Sequence, residues 1–469
     1  MLLKINYSRY KSDKLNSYNF TLLMNIILKT TLFICFCFCF ENCGKPTIMM
    51  LSPQNAKLAA QWITNQGKRF DNYTLLQYWN VEKNSPIMRN AHGRKIELTA
   101  KEGIAIESFD FCNYGTTKQY DFLGKHGRCF LYDQAIAAIA VLMYEEDVRQ
   151  AYSILSMATS FQNKDGSFGF SWDTYGCKNE PATFYDFEYI RTGANAWLGY
   201  AMAYYQKITG DDAFLTPAMK LAGWMIGRIN PTYKLIEGGF GEYEGLNFKR
   251  EEKTWMSAEH NIDAWFFFSE MAKIKENEDY RIIKENIRTS LLKYMWNDKQ
   301  GRFNQGLTQS GESDDEKALD VNSWGAMFLI ACGENSKAER ALKYVERKFS
   351  GHVEYNDTKI FGYKPYMGFS SYYGINWSRR NFVWSEGSLG VAMAYLKLNN
   401  KKKAQQIINE MSQLQTFDNR GNYGGLFYSV YNKNEITDFA RAPSVGGTAW
   451  FLMVWSALNN QETLNSFWE

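Results

Sequence analysis

Residues 261–265 read Asn-Ile-Asp-Ala-Trp (NIDAW), and this polar phrase opens an apolar run that has the length of a helix. Similar phrases recur along the chain at intervals of 59 to 68 residues: YDQAI at 132–136, GANAW at 193–197, DVNSW at 320–324, SEGSL at 385–389 and GTAW at 447–450. Self-similarity at a regular period of this length is typical of repeat proteins, in which each repeat forms one supersecondary unit. We therefore expect six copies of one helical unit.

Each of the first five phrases begins an apolar run that is followed by a more charged one. The apolar runs are 132–144, 193–206, 257–271, 320–332 and 386–398, and the charged, striped runs are 147–162, 212–230, 278–296, 336–349 and 401–415. An apolar surface all round is typical of a buried helix, and a striped surface is typical of a helix that faces water. The sixth apolar run, 444–458, has no charged follower. A helix predicted at 53–66, with Ser52 as cap and Pro53 in its first turn, supplies the missing outer partner.

Six apolar and six amphipathic helices close into a ring of six hairpins, with the apolar helices inside. This is the all-α (α/α)6 toroid, and over roughly residues 50–460 the chain resembles the superfamily of six-hairpin glycosidases. The resemblance lies in the helix pattern and the repeated phrases, and it implies an exported bacterial glycoside hydrolase. We expect an N-terminal extension with a signal or lipoprotein-like segment at 1–43, followed by one toroid domain at 44–469 with an irregular excursion at about 70–128.

The segment that begins at Met24 has the features of an export signal. A short basic region, MNIILK, precedes the 11-residue apolar core TTLFICFCFCF, which is too short to span a membrane. Cys43-Gly44 resembles the lipid-acceptor site of a bacterial lipoprotein, although Phe40-Glu41-Asn42 departs from the small residues that usually precede it. We expect export to the periplasm or the cell surface, and both a cleaved signal peptide and a lipid anchor at Cys43 stay open.

Charge and cysteine patterns exclude several classes of function. The 469-residue chain carries 53 basic and 50 acidic residues, interspersed along its length, so its net charge is only +3 and it shows no basic footprint for nucleic acid. Its eight cysteines have no spacing typical of metal ligands, and we predict no metal and no cofactor. Aromatic residues make up 16% of the chain, where they either stack on sugar rings or fill the interior of the ring. We expect a monomer that binds carbohydrate.

Acidic residues at the starts of the inner helices are the candidate catalytic groups. In a ring of hairpins every inner helix runs in the same direction, so Asp133, Glu259, Asp320 and Glu386 are expected to meet at one mouth. Glycoside hydrolysis needs one protonated carboxyl group that donates to the leaving oxygen and one ionised carboxylate that activates water or attacks carbon. The alternative is structural, because an acid in the first turn of a helix also caps it and interacts favourably with the helix dipole.

Glu259 is the predicted general acid, because burial near Trp255 and other acids favours its protonated form. Asp320 or Glu386 then acts as the base, and Asp133 either positions a sugar hydroxyl or takes the base role itself. Neighbouring helix axes lie about 8 to 10 Å apart. That spacing suits the carboxyl separation of about 6.5 to 9.5 Å in inverting enzymes better than the shorter one in retaining enzymes, so we expect inversion.

Other side chains near the starts of the inner helices are predicted to bind substrate. They are Arg191, His260 and Asp263, with Trp172, Tyr189, Trp255, Trp377 and Trp384 expected to stack on sugar. Trp197, Trp265, Trp324 and Trp450 form a stripe that indicates core packing instead. For Arg191 we rank an ion pair with Asp186 or Glu188 ahead of binding to an acidic sugar. Gly446-Gly447 brings no charge to the mouth and is expected to leave room for substrate.

Two other functions fit the same ring. A polysaccharide lyase that acts on a uronate polymer would use a tyrosine with His260 or Asn261 as acid and base, and Arg191 would suit the uronate. A non-catalytic glycan-binding toroid would keep the aromatic residues and have no need of the carboxylates. Sugar epimerases of this fold depend on two histidines at the mouth, and the chain has only four histidines in all. Prenyltransferases and terpene cyclases of this fold carry zinc-ligand sets or a DxDD pattern, neither of which is evident in the sequence.

Overall fold

The computed structural model of the chain describes residues 51–70, 87–89, 95–97, 103–110, 128–145, 147–173, 185–186, 188–244, 247–417, 423–432 and 439–469. The predicted export segment, with Cys43, and most of the excursion predicted at about 70–128 lie outside these residues. Residues 50–469 form one compact unit.

Helices dominate the described residues. In chain order they are α1 (Pro53–Gln66), α2 (Leu131–Glu145), α3 (Val148–Ser160), α4 (Thr192–Thr209), α5 (Leu215–Ile226), α6 (Ala258–Lys275), α7 (Glu278–Ser290), α8 (Asp320–Ala331), α9 (Asn335–Phe349), α10 (Ser385–Lys397), α11 (Lys401–Ser412), α12 (Val445–Asn459) and α13 (Gln461–Ser466). A π-helical turn at Leu291–Met295 extends α7, and a 3-10 turn spans Trp377–Arg379.

Short antiparallel strands fill the connections between helices. They are β1 (Gly67–Phe70), β2 (Ile87–Arg89), β3 (Lys95–Glu97), β4 (Gly103–Ile106), β5 (Arg128–Phe130), β6 (Ser171–Asp173), β7 (Tyr185–Asp186), β8 (Ile190–Arg191), β9 (Gly239–Glu244), β10 (Asn247–Lys253), β11 (Met256–Ser257), β12 (Trp296–Asn297), β13 (Arg302–Phe303), β14 (Gly306–Leu307), β15 (Ser313–Asp314), β16 (Ser350–Tyr355), β17 (Thr358–Tyr363), β18 (Phe369–Ser370), β19 (Ile375–Asn376), β20 (Phe382–Trp384), β21 (Leu426–Phe427), β22 (Ser429–Tyr431) and β23 (Pro443–Ser444). β5, β8, β11, β20 and β23 each end one residue before an inner helix. A short strand therefore positions the start of each of these five inner helices.

Six buried helices form a closed inner ring: α2, α4, α6, α8, α10 and α12. Each packs against the next inner helix along the chain, and α12 packs back against α2, so the ring has no open end. Their side chains are buried on almost every face. That burial explains why these runs of sequence are apolar throughout.

Six amphipathic helices surround the inner ring. α3, α5, α7, α9 and α11 each follow an inner helix and pack on its outer side, and α1 packs on α12. The predicted all-α toroid of six hairpins is therefore confirmed, with α1 as the outer partner of the last inner helix. None of the helices in the described ranges combines the length and the hydropathy that a membrane-spanning helix requires.

One polar residue in each repeated phrase anchors a loop. Gln134, Asn195, Asn261, Asn322, Ser388 and Thr448 accept hydrogen bonds from the backbone N–H groups of Ile106 (2.8 Å), Phe168 (2.8 Å), Ile236 (2.7 Å), Phe303 (3.0 Å), Tyr363 (3.0 Å) and Leu426 (2.9 Å), respectively. All six anchors are fully buried, and a buried polar group is stable only when it is hydrogen-bonded. Part of the polarity of the phrase is therefore structural.

Residues after α12 fill the centre of the ring, which the sequence pattern did not predict. The Trp468 ring stacks on Phe266 at 4.3 Å and lies 4.8 Å from Trp197. The Glu469 carboxylate pairs with Lys207 at 2.7 Å and with Lys273 at 2.9 Å. Since both lysines lie in the last turns of α4 and α6, this segment enters from the end where those helices finish, away from their N-termini.

Candidate active site

Acidic side chains from four inner helices meet at one end of the ring, here called the mouth. Asp133 on α2, Glu259 on α6, Asp320 on α8 and Glu386 on α10 all lie in the first turn of their helices. Charge interactions link Glu259 to Asp320 and Glu386, and link Glu386 to Asp133 and Asp320. The structure thus brings together the four carboxylates that were expected to share the mouth, and their catalytic roles stay predictions.

Burial is the main cause of unusual proton affinity in this cluster. It raises the pKa of Asp133 to about 7, that of Asp320 to about 6 and that of Glu386 to about 8. The pKa of Glu259 lies well above its ordinary value because of burial and then because of the charges of Asp320 and Glu386. A low-dielectric site disfavours the ionised form of a carboxyl group, and neighbouring carboxylates add to this effect. At neutral pH the mouth therefore holds protonated and ionised carboxyl groups side by side.

Glu386 is held by a chain of hydrogen bonds that crosses the ring. The Tyr132 hydroxyl donates to Oε1 of Glu386 at 2.6 Å and accepts from Nε1 of Trp450 at 2.8 Å. Because an indole N–H can only donate, the Tyr132 proton is directed at Glu386. This bond lowers the pKa of Glu386 and partly offsets its burial. The chain joins α2, α10 and α12 at the mouth.

Tyr132 was missed at the sequence level. It is the first residue of the YDQAI phrase, next to Asp133. A tyrosine ahead of an apolar helix is usually read as packing, and its partners Glu386 and Trp450 are more than 250 residues away in sequence. Its position in the sequence could have indicated a role at the site, because Tyr132 lies in the first turn of an inner helix, as the four carboxylates do.

Gly446 makes room for the Glu386 carboxylate. A Cβ atom at Gly446 would lie 2.6 Å from Oε2 of Glu386 and 3.3 Å from the Tyr428 ring. A Cβ atom at Gly447 would lie 2.5 Å from Oγ of Ser385. The expectation that this glycine pair leaves room for substrate is therefore wrong: the space is taken by side chains of α10.

Asp263 lies below the mouth, one helical turn after Glu259. Its side chain is only 2% exposed, and neither carboxylate oxygen makes a hydrogen bond of normal geometry, although the Trp197 indole favours the ionised form of Asp263. Burial, followed by the charges of Glu259 and Asp320, nevertheless raises its pKa well above the ordinary value. Because Asp263 is buried in protein, the prediction that it contacts substrate directly is wrong.

Arg191 and two aromatic rings form one wall beside the mouth. The guanidinium lies 3.9 Å from the centre of the Tyr189 ring and 5.8 Å from that of Trp255. Its Nη1 donates to the backbone oxygens of Ile190 at 3.0 Å and Gly241 at 2.9 Å. Tyr189 and Trp255 are half-buried. Their predicted stacking on sugar stays a prediction that this exposure permits.

Arg191 was expected to form an ion pair with Asp186 or Glu188. Glu188, one of the two predicted partners, pairs with Arg250 at 2.9 Å. The side chain of the other, Asp186, lies outside the described part of the chain. Arg191 is instead oriented by backbone carbonyls and aromatic faces.

His260 is held neutral at the mouth. Burial, followed by the charge of Arg191, lowers its pKa to about 3. Its ring lies 5.4 Å from that of Trp255, and a Cβ atom at Gly193 would lie 2.4 Å from its Cδ2, so Gly193 is required for the ring to fit. The adjacent Asn261 is fully occupied as a loop anchor, since its amide also donates to Ile236 O at 3.0 Å. Asn261 is therefore not available as the partner of a tyrosine in lyase chemistry.

Three of the tryptophans expected to stack on sugar are buried in protein instead. Trp172 is 2% exposed and packs 4.9 Å from Phe161. Trp377 is fully buried among Tyr366, Phe382 and Phe439, and Trp384, 6% exposed, packs on Phe439. These three predictions are wrong, because loop aromatics in Gly-rich stretches fold inward here to cover the ring.

Two further tyrosines line the mouth and were also missed. Burial, followed by the charge of Glu386, raises the pKa of Tyr428 well above its ordinary value. The pKa of Tyr366 is raised by burial, with smaller contributions from Tyr373, Asp320 and Glu259. Both residues come from long loops between an outer helix and the next inner helix, where no repeat marks their position. Within the described ranges, no group of His, Cys, Asp and Glu side chains is arranged to hold a metal ion.

Comparison with known proteins identifies the fold. No protein-family model and no curated protein sequence matches the chain. Among solved structures, cellobiose 2-epimerase from Bacillus thermoamylovorans is similar with a TM-score of 0.54 and 12% identity, covering 87% of this chain and 100% of that one. A glycosidase in complex with glucose gives 0.54 and 9%, covering 87% and 99%. D-mannose isomerase gives 0.53 and 10%, covering 90% and 100%.

Identities of 9 to 12% show likeness of fold alone. The similarity spans nearly the full length of each solved protein, so it includes the whole ring and not a single hairpin. The chain therefore has the (α/α)6 toroid fold that these solved proteins share.

Proposed function

We propose that the protein is a glycoside hydrolase that cleaves a poly- or oligosaccharide with inversion, using Glu259 as general acid and Asp320 as general base. The first requirement is a pair of carboxyl groups in opposite protonation states. Glu259 and Asp320 meet it at the mouth, on the adjacent inner helices α6 and α8.

The observation that carries the proposal is the placement of Glu259 beside two other acids. Burial, followed by the charges of Asp320 and Glu386, raises the pKa of Glu259 well above its ordinary value and so favours its protonated form. Asp320 accepts a hydrogen bond from the Val321 N–H at 2.8 Å and has the lowest pKa of the cluster, about 6, so it is largely ionised at neutral pH. Paired groups whose surroundings push their pKa values apart are typical of an acid and a base that act together.

Adjacent helices support inversion over retention. The axes of packed helices are about 8 to 10 Å apart, and inverting enzymes separate their carboxyls by about 6.5 to 9.5 Å to admit a water molecule. Glu386 suits the base role less well, since its pKa of about 8 leaves it largely protonated at neutral pH. We assign it, with Tyr132, to positioning a sugar hydroxyl.

A sugar substrate is supported by the surroundings of the cluster. Tyr189 and Trp255 offer half-buried aromatic faces beside Arg191, and aromatic faces pack well on the apolar faces of sugar rings. The similar solved structures include a glycosidase with glucose, an epimerase of cellobiose and an isomerase of mannose. Carbohydrate is common to all three.

Lyase chemistry is favoured less by the same geometry. A tyrosine base must lose its proton, whereas the pKa values of Tyr132, Tyr366 and Tyr428 are all raised by burial and then by neighbouring groups. An epimerase or isomerase is the stronger competitor because two similar structures have such activities. His260, with a pKa of about 3, is a weak base for it, while His92 and His126 lie outside the described residues.

Replacement of Glu259 by Gln tests the proposal. The purified variant and the wild type are incubated with β-glucans, α-glucans and uronate polymers, and new reducing ends and near-ultraviolet absorbance are read together. General-acid catalysis contributes about 10²- to 10⁴-fold, so E259Q should lose turnover by that factor and still bind glycan. Glu278→Gln, at an exposed acid on α7, is the matched control.

Each outcome separates the candidate functions. Reducing ends that need Glu259, with the product formed in the opposite anomeric configuration, support an inverting hydrolase. An unsaturated product that absorbs in the near ultraviolet would mark a lyase, and sugar interconversion without new reducing ends would mark an epimerase or isomerase. Full activity in E259Q rules out the assignment of Glu259.

A further inference from the structure

A strongly basic cavity lies outside the carboxylate mouth. It has a volume of about 710 Å³ and is formed by α9, the turn at 299–301, Lys317 and residues 367–368. Six of its lining residues are basic: Lys299, Lys317, Arg340, Lys343, Arg347 and Lys348. Gln300, Gly301, Tyr344, Met367 and Gly368 complete the lining, so no acidic side chain belongs to it. A chain with nearly balanced charge has thus concentrated positive charge at one concave place.

Most of this charge is not neutralised locally. Lys299, Lys317 and Lys348 form no ion pair with an acid in the described ranges. Arg340 pairs with Asp298, whose side chain is 74% exposed, and Lys343 reaches Glu339 only at 3.9 Å. Exposed pairs of this kind contribute little and exchange readily with other anions. A concave surface lined by one sign of charge attracts ligands of the opposite sign.

The cavity adjoins the mouth along the chain. Lys317 precedes Asp320 by three residues, and its backbone oxygen accepts from Met367 N at 3.0 Å. Tyr366, next to Met367, forms a β-bridge with Ala318 and lies within the electrostatic reach of Asp320 and Glu259. Consecutive Cα atoms are about 3.8 Å apart, and three extended residues span about 11 Å at most. The walls of the mouth and of the cavity are therefore parts of the same two short segments.

Aromatic side chains continue from this shared wall. Directly after Gly368, the β18–β19 hairpin exposes Phe369 at 67% and Tyr372 at 77%. Tyr373, beside Tyr372, packs 5.2 Å from Tyr366. Exposed aromatic rings that lie together beside a carbohydrate mouth offer flat apolar faces on which sugar rings can stack.

We infer that the basic cavity binds the acidic groups of an anionic polysaccharide whose chain extends from the mouth past Tyr366. The shared chemistry is a carboxylate or sulfate group borne on sugar, recognised by Arg and Lys donors. This inference rests on the proposed function, because it names the substrate class of the same mouth. Single-stranded nucleic acid also combines phosphates with stacking bases, but continuity with the carboxylate mouth favours a glycan.

Binding to polygalacturonate tests the inference on the full chain. The E259Q background is used so that binding is measured without turnover, by affinity electrophoresis and titration calorimetry. Lys343→Ala with Lys348→Ala removes two charges from the cavity. Lys401→Ala with Lys402→Ala removes two exposed charges from α11 and is the matched control.

The cavity variant should bind polygalacturonate about tenfold more weakly, while the control stays within about twofold. Added salt should weaken binding of the parent protein, and binding of a neutral β-glucan should not differ between the variants. Dextran sulfate distinguishes the two anion sources: tighter binding to it than to polygalacturonate assigns a sulfated glycan.

Three results would overturn the inference: no binding of either polyanion, equal weakening in both lysine variants, or stronger binding of a single-stranded RNA such as poly-U. The proposed function fails separately. If polyanion binding depends on the cavity but the wild type hydrolyses no glycan, the cavity assignment stands and the hydrolase assignment falls. If neutral glycans are hydrolysed and polyanions are ignored, the reverse holds.

Discussion

Substitution of Gly446 by Ala tests whether Glu386 must occupy its observed position. The added Cβ would lie 2.6 Å from Oε2 of Glu386, whereas an ordinary contact begins at about 3.4 Å. The carboxylate would have to move by about 0.8 Å. It cannot turn freely, because its other oxygen accepts the Tyr132 hydroxyl at 2.6 Å. The movement therefore stretches or breaks that hydrogen bond.

The expected effect is on activity more than on stability. A misplacement of about 1 Å can cost about 10²-fold in rate, so kcat/KM of G446A should fall by about two orders of magnitude. Alanine is favoured over glycine in a helix by at most about 1 kcal/mol, and this gain offsets part of the overlap. The free energy of unfolding should therefore change by no more than about 1 to 2 kcal/mol. Glycan hydrolysis and urea denaturation of the same preparation measure both quantities.

Gly223→Ala is the control for the helix effect. No heavy atom lies within 4 Å of a Cβ at this exposed position in α5. It should stabilise the protein by about 0.5 to 1 kcal/mol and leave activity unchanged. If G446A keeps activity within about threefold of the wild type, the observed position of Glu386 is not needed for turnover and the reasoning is refuted.

Three further predictions address single features. Tyr132→Phe removes the hydrogen bond to Glu386. A hydrogen bond to a charged group is worth about 1.5 to 3 kcal/mol, so its loss should raise the pKa of Glu386 by about one to two units. The pH profile of kcat/KM should shift to higher pH, and an unchanged profile would contradict this. Burial raises the pKa of Asp133 from 3.8 to about 7, so the folded protein keeps a proton that the unfolded chain loses, and stability falls as the pH rises through that window. Asp133→Asn should remove this loss and gain roughly 4 kcal/mol on the wild type between pH 4 and pH 8, measured by urea denaturation; equal slopes in both proteins would refute it. Trp468→Ala should lower the free energy of unfolding by about 3 to 5 kcal/mol, because the ring is 2% exposed and stacks on Phe266; a loss below 1 kcal/mol would show that this segment does not support the ring.

The fold was predictable because burial imposes a pattern on every repeat. An inner helix such as α2 has no face in water, so its sequence is apolar throughout, and an outer helix such as α9 is striped. The repeated phrase also has a physical cause: residues such as Asn195 and Asn322 anchor an incoming loop at the same place in each hairpin. Both features are local in sequence, so they can be read without the structure.

The site was predictable only where it follows the repeat. Asp133, Glu259, Asp320 and Glu386 stand at equivalent helix starts, and convergence of those starts brings them together. Loop residues have no equivalent position in the repeat from which their location could be predicted. Whether a loop tryptophan such as Trp377 turns inward depends on partners far away in sequence, and its burial among other aromatics was not visible from its neighbours.

Features assembled from distant segments were not predictable at all. The basic cavity takes residues from 299–301, 317, 340–348 and 367–368. The segment 340–348 supplies four of its six basic residues, but only the fold brings Lys299 and Lys317 beside them. The Tyr132–Glu386 hydrogen bond likewise joins α2 to α10. Interactions of this kind depend on closure of the ring.

Closure of the ring also sets the order in which the protein can become functional during synthesis. Asn55 on α1 bonds to Gln415, 360 residues later, and Trp450 on α12 bonds to Tyr132 across 318 residues. Contacts of such long sequence separation form slowly, and until α12 emerges from the ribosome the apolar flanks of α2 and α10 lack their partner. A nascent chain therefore passes through a period in which the mouth is not yet assembled and a large hydrophobic surface is exposed to aggregation. The yield of folded protein should therefore depend more on chaperone protection during that interval than on the intrinsic stability of any one hairpin.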